Sequence, residues 1–220
     1  MKLLTIAIDG PSGAGKGTLA RTVADRLGYR HVDTGAMYRA VGWKAQHDGV
    51  PLDDDEAVSA LADHSRIVQE DGRTEIDGYD VTREIRTPAI DKAATSVARL
   101  PRVREALVRR FRNIGKGGAV VMEGRDIGTV VFPDADLKFY IDATPEERAR
   151  RRAADPAHTG GQASLELVQS DIASRDKSDS TRSIAPLTRA NDAIYIDTTS
   201  MPINDVVERV LALISERLDA

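Results

Sequence analysis

The chain has 220 residues, 41% hydrophobic and 30% charged, with 31 Lys and Arg against 35 Asp and Glu for a formal charge of −4. This is the balance of one compact globular domain with small insertions, and it lacks the whole-molecule basic field of a nucleic-acid binder. There is no cysteine, which excludes disulfides, thiolate metal sites and cysteine nucleophiles, and the four histidines, His31, His47, His64 and His158, show no metal-ligand spacing.

Short apolar runs alternate with helical patterns along the chain, which predicts an α/β fold with a five-stranded parallel sheet flanked by helices. The first strand is Leu3–Asp9; its apolar run is too short for a secretory signal, and no stretch of the chain approaches the roughly 18 apolar residues that span a bilayer. A glycine-rich loop follows. The helix Lys16–Leu27 carries Leu19, Val23 and Leu27 at four-residue spacing and stops at Gly28. A second strand, Tyr29–Asp33, leads into a helix at Ala36–His47. Asp53–His64 opens on three aspartates suited to a helix start.

Residues 66–82 break the alternation. Short β-prone pieces surround Asp71-Gly72 and Asp77-Gly78, the signal of hairpin turns, and predict a small antiparallel insertion of two or three strands. A long helical stretch, Arg83–Gly115, is interrupted by Pro88 and Pro101. Strands at Gly118–Glu123, Leu137–Asp142 and Ala193–Asp197 complete the sheet, with helices at Pro145–Ala154, Ser164–Ser174 and Ile203–Leu218.

The loop Gly10-Pro11-Ser12-Gly13-Ala14-Gly15-Lys16-Gly17-Thr18 matches G-x-x-x-x-G-K between a strand and an amphipathic helix. Successive backbone N–H groups unobstructed by side chains can wrap a polyphosphate, the helix N-terminus adds positive potential, and Lys16 supplies a mobile point charge. The hydroxyl that often follows the lysine is displaced by one position, from Gly17 to Thr18. The loop alone leaves GTPases, ATPases and small-molecule kinases open.

Three further stretches bear on that choice. In "VDTGAMYR", Asp33 and Thr34 can cap the helix that follows, and Arg39 lies one turn on, able to reach an anion near the helix N-terminus. "EGRDIGTVVFPDAD" follows a strand, so Glu123, Arg125 and Asp126 stand at the carboxyl end of the sheet, where open α/β sheets bind ligands. An Arg there suits bidentate phosphate binding; an Asp suits an exocyclic amine or a ring N–H; a salt-bridged loop is the structural alternative. The third stretch is basic. Arg148, Arg150, Arg151 and Arg152 form either a solvated helix face or a lid that clamps transferring phosphates, and Arg175, Asp179 and Arg182 share one helical face by spacing.

Taken in order, "IDGPSGAGKGT", "DTGAMYR", "PRVREAL", "EGRDIGTVVFPDA", "EERARRR", "RDKSD" and "APL" closely resemble the bacterial cytidylate kinases along the full length of the chain, with "GRDIGTVVFPDA" the most specific. The resemblance implies a P-loop kinase core over residues 1–34, 116–145 and 185–220, an acceptor-binding region with the β insertion at about 35–115, and a lid at about 146–163. It implies transfer of the γ-phosphoryl of ATP to CMP or dCMP, with Mg2+. It places Arg39 and Arg125 on the acceptor phosphate, Thr34, Arg104, Asp126 and Arg182 on the cytosine, and Thr95, Arg175 and Asp179 on the sugar. Lys16, Arg125, Arg148 and Arg152 would act on the transferring group, and Thr18 would meet the metal directly or through water. Thr34 and Thr95 stand where some family members have Ser.

The resemblance implies a monomer acting on small nucleotides; the acidic balance argues against a nucleic-acid partner, the short apolar runs against a membrane one, and the lack of cysteine fits a cytoplasmic location. The rival readings are another small P-loop kinase with a different acceptor, an RNA-binding protein using the arginine clusters, against which the acidic total and 4% aromatics count, and a guanine-nucleotide switch. The switch requires an Asn-Lys-x-Asp segment, and no Asn-Lys pair occurs.

Overall fold

The fold was obtained as a computed structural model that describes residues 3–70, 72–155 and 164–219. The described chain forms two compact units: residues 3–32, 114–152 and 164–219 make the first, and residues 33–70, 72–113 and 153–155 the second.

The first unit begins with β1 (Thr5–Asp9), the glycine-rich loop and α1 (Lys16–Leu27), followed by β2 (Arg30–Asp33), whose last residue opens the second unit. The chain returns with β6 (Val120–Gly124), a single π turn at Ile127–Val131, β7 (Leu137–Asp142) and α6 (Pro145–Ala153). It ends with α7 (Leu165–Thr181), β8 (Ile194–Asp197) and α8 (Ile203–Asp219). The strands form a five-stranded parallel sheet in the order β2-β6-β1-β7-β8. β1 is central and buried, as its continuous apolar run requires. On one face Leu19, Ala20, Val23 and Ala24 of α1 and Val206, Val207, Val210 and Ile214 of α8 pack on Ile6, Ile8, Val121, Phe139, Ile141 and Ile196.

The second unit contains α2 (Thr34–His47), α3 (Asp55–His64), α4 (Pro88–Val97) and most of α5 (Pro101–Gly115). Its antiparallel sheet, β3 (Ile67–Glu70), β4 (Arg73–Ile76) and β5 (Tyr79–Asp80), is the predicted insertion, with Ile67 opposite Ile76 and Ile76 opposite Tyr79. Of the two predicted turns, Asp77-Gly78 has both residues at positive φ; Asp71 lies outside the described residues. Ala36, Ala40, Ile76, Val81, Ile85 and Ile90 form the local core.

Several element bounds move by one or two residues, and three of the differences have a local physical cause. α2 starts at Thr34 rather than Ala36, because the Asp33 carboxylate accepts the Ala36 N–H at 2.8 Å and caps the helix two residues earlier. The stretch Arg83–Gly115 resolves into a 3-10 turn at Glu84–Arg86 and two helices, each with a proline as first residue, where its missing N–H costs nothing. α7 runs to Thr181, seven residues beyond the predicted end, since no Gly or Pro interrupts residues 175–181.

Candidate active site

β1 ends on Asp9, and the next residue turns away from the sheet. A Cβ on Gly10, whose φ is +149°, would lie 2.0 Å from the Ile141 carbonyl oxygen, so only glycine can leave the strand here. The loop then delivers Lys16 into the first turn of α1. Its side chain is buried, and its ammonium donates to the Pro11 carbonyl at 2.6 Å. Burial pushes its pKa down to about 7; Arg125 and Arg175 push the same way, against Glu123 and Asp9. Lys16 therefore arches back over its own loop. Gly15, Gly17 and Thr18 follow the same turn, and Thr18 is exposed.

At the carboxyl end of β6 and along α7 lies a cluster of buried charges. Arg125 Nε donates to Asp179 Oδ2 at 2.9 Å; Arg182 stands 3.8 Å from Asp179 Oδ1 and 3.5 Å from Asp126 Oδ1. Burial opposes the charge on Asp179, but Arg125, Arg175 and Arg182 outweigh it and hold its pKa below the ordinary value. For Arg125, burial is likewise outweighed by Asp179, Asp176 and Glu123, and its pKa rises. Arg175 and Asp179 are on α7, while Arg182 follows the helix end and turns its Nε to the Ala185 carbonyl at 2.6 Å.

The arginines of α6 separate into different roles. Arg148 is buried; it donates to the carbonyls of Ala143 and Ser12 at 2.9 and 3.0 Å and pairs with Asp176 at 2.5 Å. Asp176 accepts the Ser12 N–H at 3.3 Å. The pair therefore grips both backbone groups of one phosphate-loop residue. Arg150 is exposed and bound to Glu147. Arg151 holds Thr198 by its hydroxyl and carbonyl, at 2.9 and 2.6 Å. Arg152 is half-buried in the last turn. Of the expected lid, residues 156–163 lie outside the described residues.

In the second unit, Thr34 is buried at the first position of α2, and Arg39 Nη2 donates to Asp33 at 3.0 Å. Arg39 Nε is buried and has no hydrogen-bond partner among the described residues. Arg104 is buried on α5, donates to the Ala98 carbonyl at 3.3 Å and lies 5.6 Å from the centre of the Tyr38 ring. Thr95 is half-buried on α4, and its hydroxyl donates to the Asp91 carbonyl.

Three participants escaped the sequence reading as site residues. Asp9 accepts two backbone N–H groups from the loop after β6. His31 Nε2 lies 3.3 Å from Glu123 Oε1, and that carboxylate stands beside Gly17. Asp176 is the third. "IDG" and "RDKSD" carried the two aspartates in plain view, but nothing in either stretch names the distant backbone group that each one holds.

Among the described residues no three His, Cys, Asp or Glu side chains converge on a metal position. An exposed Thr18 hydroxyl, with the Glu123 carboxylate next to Gly17, fits a divalent ion that arrives on a nucleotide and keeps phosphate and water ligands. Nor is any helix among the described residues long and apolar enough to cross a membrane.

Known proteins resemble this chain in fold and in sequence. The fold resembles a crystal structure of shikimate kinase from Bacteroides thetaiotaomicron, with a TM-score of 0.52 at 13% identity, covering 97% of this chain and 99% of that one. The curated cytidylate kinase of Pelotomaculum thermopropionicum is 49% identical over 96% of this chain and 95% of its own length. That of Geobacillus sp. (strain WCH70) is 46% identical over 98% of each. The family model described as "Cytidylate kinase" matches residues 6–216, and the chain belongs to the cytidylate kinase family.

Proposed function

We propose that the protein transfers the γ-phosphoryl group of ATP to the 5′-phosphate of CMP or dCMP, giving ADP and CDP or dCDP. Family membership supports this reading. The observation that carries it is the cluster of Arg125, Asp126, Asp179 and Arg182. Asp126, Asp179 and Arg182 are buried together in the first unit with the half-buried Arg125 beside them, an arrangement whose desolvation is repaid by a ligand that is itself anionic at one end and carries an amino group at the other.

In the transfer, an oxygen of the acceptor 5′-phosphate forms a bond to the γ-phosphorus as the bond to the β–γ bridging oxygen breaks. The attacking group is already an anion, so no strong general base is required and none is assigned. What the protein must supply is positive charge and position. Residues 10–18 hold the donor phosphates, Pro11 by shaping the loop and the others through backbone N–H groups, and Lys16 adds its ammonium. Thr18 would meet the Mg2+ carried by ATP, directly or through water, and that ion would supply further positive charge against the donor phosphates. Arg125 and Arg152 are the cations assigned to the transferring group. Arg148, assigned there by resemblance, acts in this structure on the loop itself through Ser12.

For the acceptor, Arg125 takes the phosphate, Asp126 and Arg182 the cytosine edge, and Arg175 and Asp179 the sugar. In the second unit, the buried Nε of Arg39, without a partner among the described residues, supports a phosphate role. Thr34 and Arg104 for the base and Thr95 for the sugar rest on the resemblance at those positions. The substrates are soluble nucleotides, which supports a cytoplasmic location, and the family resemblance supports a monomer.

The test is a panel. ATP and Mg2+ are incubated with each nucleoside monophosphate while ADP formation is followed. CMP and dCMP should be the preferred acceptors; equal or faster turnover of AMP, UMP or TMP overturns the reading.

A further inference from the structure

The loop that carries Arg125 and Asp126 runs straight into the short turn Ile127–Val131. A turn that opens on unpaired N–H groups needs an acceptor, and Asp126 occupies the position from which a side chain normally provides one. It does not do so: no side-chain cap is made from Asp126, and its carboxylate lies 3.5 Å from Arg182. The acceptor comes from β1. Asp9 Oδ1 takes the Ile127 N–H at 2.8 Å, and Oδ2 takes the Gly128 N–H at 2.7 Å. Asp9 is 5% exposed and 118 residues away in sequence from the nearer of its two partners.

We propose that Asp9 is a positioning residue for the acceptor: by capping the Ile127 turn in place of Asp126, it sets the backbone that aims Arg125 and Asp126 and leaves the Asp126 carboxylate directed at Arg182 and the bound base. This rests on the acceptor role given above to Arg125 and Asp126. Three features make Asp9 suited to the task. Its register neighbours are Gly124 on β6 and Tyr140 on β7, so it stands at the carboxyl end of the sheet where the loop departs. A carboxylate accepts two parallel N–H groups with the same geometry, which no neutral side chain of that size can do. Space beside it is also restricted, because a Cβ on Gly128 would lie 3.4 Å from Asp9 Oδ2 and 3.1 Å from Lys138 Cδ.

The hold is also pH-sensitive. Burial pushes the Asp9 pKa up to about 6, against the two N–H bonds; Asp126 adds to the rise and Lys16 opposes it. Tyr140 on the neighbouring strand also faces Asp9, with Asp142, Arg125 and Asp176 acting on the same tyrosine, and Lys138 stands beside Gly128. Below that pH the protonated carboxyl must give up one acceptor position, and the cap weakens.

The experiment reads the hold without any substrate. In amide-resolved NMR of the wild-type protein, the Ile127 and Gly128 N–H resonances should titrate together with a midpoint of about 6. In Asp9→Asn, whose amide offers one acceptor and one donor, that shared titration should vanish. The acceptor KM should rise by about tenfold, the equivalent of one hydrogen bond to a charged group, with the KM for ATP unchanged. The acid limb of kcat/KM should change order as well. The acceptor phosphate has its own ionisation at about 6, so wild type should lose two protons across the limb and Asp9→Asn one. Ile127 and Gly128 amides that exchange with solvent as fast as unbonded ones overturn the proposal, even if the variant cannot be folded, and so does an equal rise in both KM values. Should wild type fail to use CMP, it is the acceptor reading that falls, and the amide exchange still decides whether Asp9 holds the loop.

Discussion

A Cβ added to Gly17 would stand 3.1 Å from Oε1 of Glu123. Glu123 is 7% exposed at the end of β6, and its Oε1 also lies 3.3 Å from His31 Nε2. The carboxylate therefore occupies the space that a hydroxyl-bearing residue after the lysine would fill, and the hydroxyl is displaced to Thr18.

This relationship makes Gly17→Ala informative, because two effects oppose. Alanine in the first turn of α1 gains about 1 kcal/mol of helix propensity. The tight contact with Glu123 costs about 1 kcal/mol or somewhat more, since a carboxylate at the end of a side chain can give way. The melting temperature should stay within a few degrees of wild type. Turnover should fall about tenfold, because the displaced carboxylate faces the phosphate loop. A variant with full activity would show that the position of Glu123 is irrelevant to transfer.

The arginines of α6 give a paired comparison within one helix. Arg148→Ala removes a buried guanidinium and leaves the Asp176 carboxylate and the Ser12 carbonyl without it. Breaking a buried pair of this kind costs about 3 kcal/mol. A cost of that size should lower the melting temperature by roughly 6–12 °C and raise the KM for ATP through the loosened loop. Arg150→Ala breaks only an exposed pair with Glu147 and should cost at most about 0.5 kcal/mol. Equal thermal shifts for the two variants would refute the role given to Arg148 at Ser12.

Much of this was legible beforehand, and the remainder has a common cause. Lys16–Leu27 could be bounded to the residue because a glycine loop precedes it and Gly28 ends it. The hairpin at Asp77-Gly78 was legible because its turn chemistry is local. The end of α7 was not, since residues 175–181 are polar and carry no apolar periodicity to follow; their helical state is fixed by what Asp176 and Asp179 bind. Likewise Asp9 and Asp176 hold amides 118 and 164 residues distant, and a motif cannot show which backbone group a carboxylate will meet. The charged residues Arg125, Asp126, Asp179 and Arg182 could be picked out as candidates, but their pairing could not.

Asp179 offers a test of that pairing. Its carboxyl is depressed because Arg125, Arg175 and Arg182 outweigh its burial. A depressed carboxyl contributes stability that is present above the ordinary value of 3.8 and is lost as pH falls through the folded value. Asp179→Asn should therefore cost about 3 kcal/mol at neutral pH, and the penalty should shrink in acid, where wild type loses the same term. Chemical denaturation at pH 7 and at pH 3 measures both. A penalty independent of pH would mean that the three arginines do not stabilise the charge.

The last prediction concerns Lys16. Its ammonium is depressed to about 7, chiefly by burial, with Arg125 and Arg175 adding to the effect. Donor phosphates would bring negative charge into the loop and return the lysine toward its ordinary value of 10.5. A group whose pKa is higher in the complex than in the unbound protein takes up a proton on binding whenever the pH lies between the two values. At pH 8, binding of Mg-ATP should therefore be accompanied by uptake of nearly one proton. Calorimetry in two buffers of different ionisation enthalpy reads this directly. From pH 8 to pH 9 the dissociation constant should weaken by about tenfold, one order per proton. In Lys16→Met, which keeps the length of the side chain and removes the charge, both the uptake and the slope should disappear. Binding that is pH-independent over this range in wild type would show that Lys16 is already charged before the nucleotide arrives.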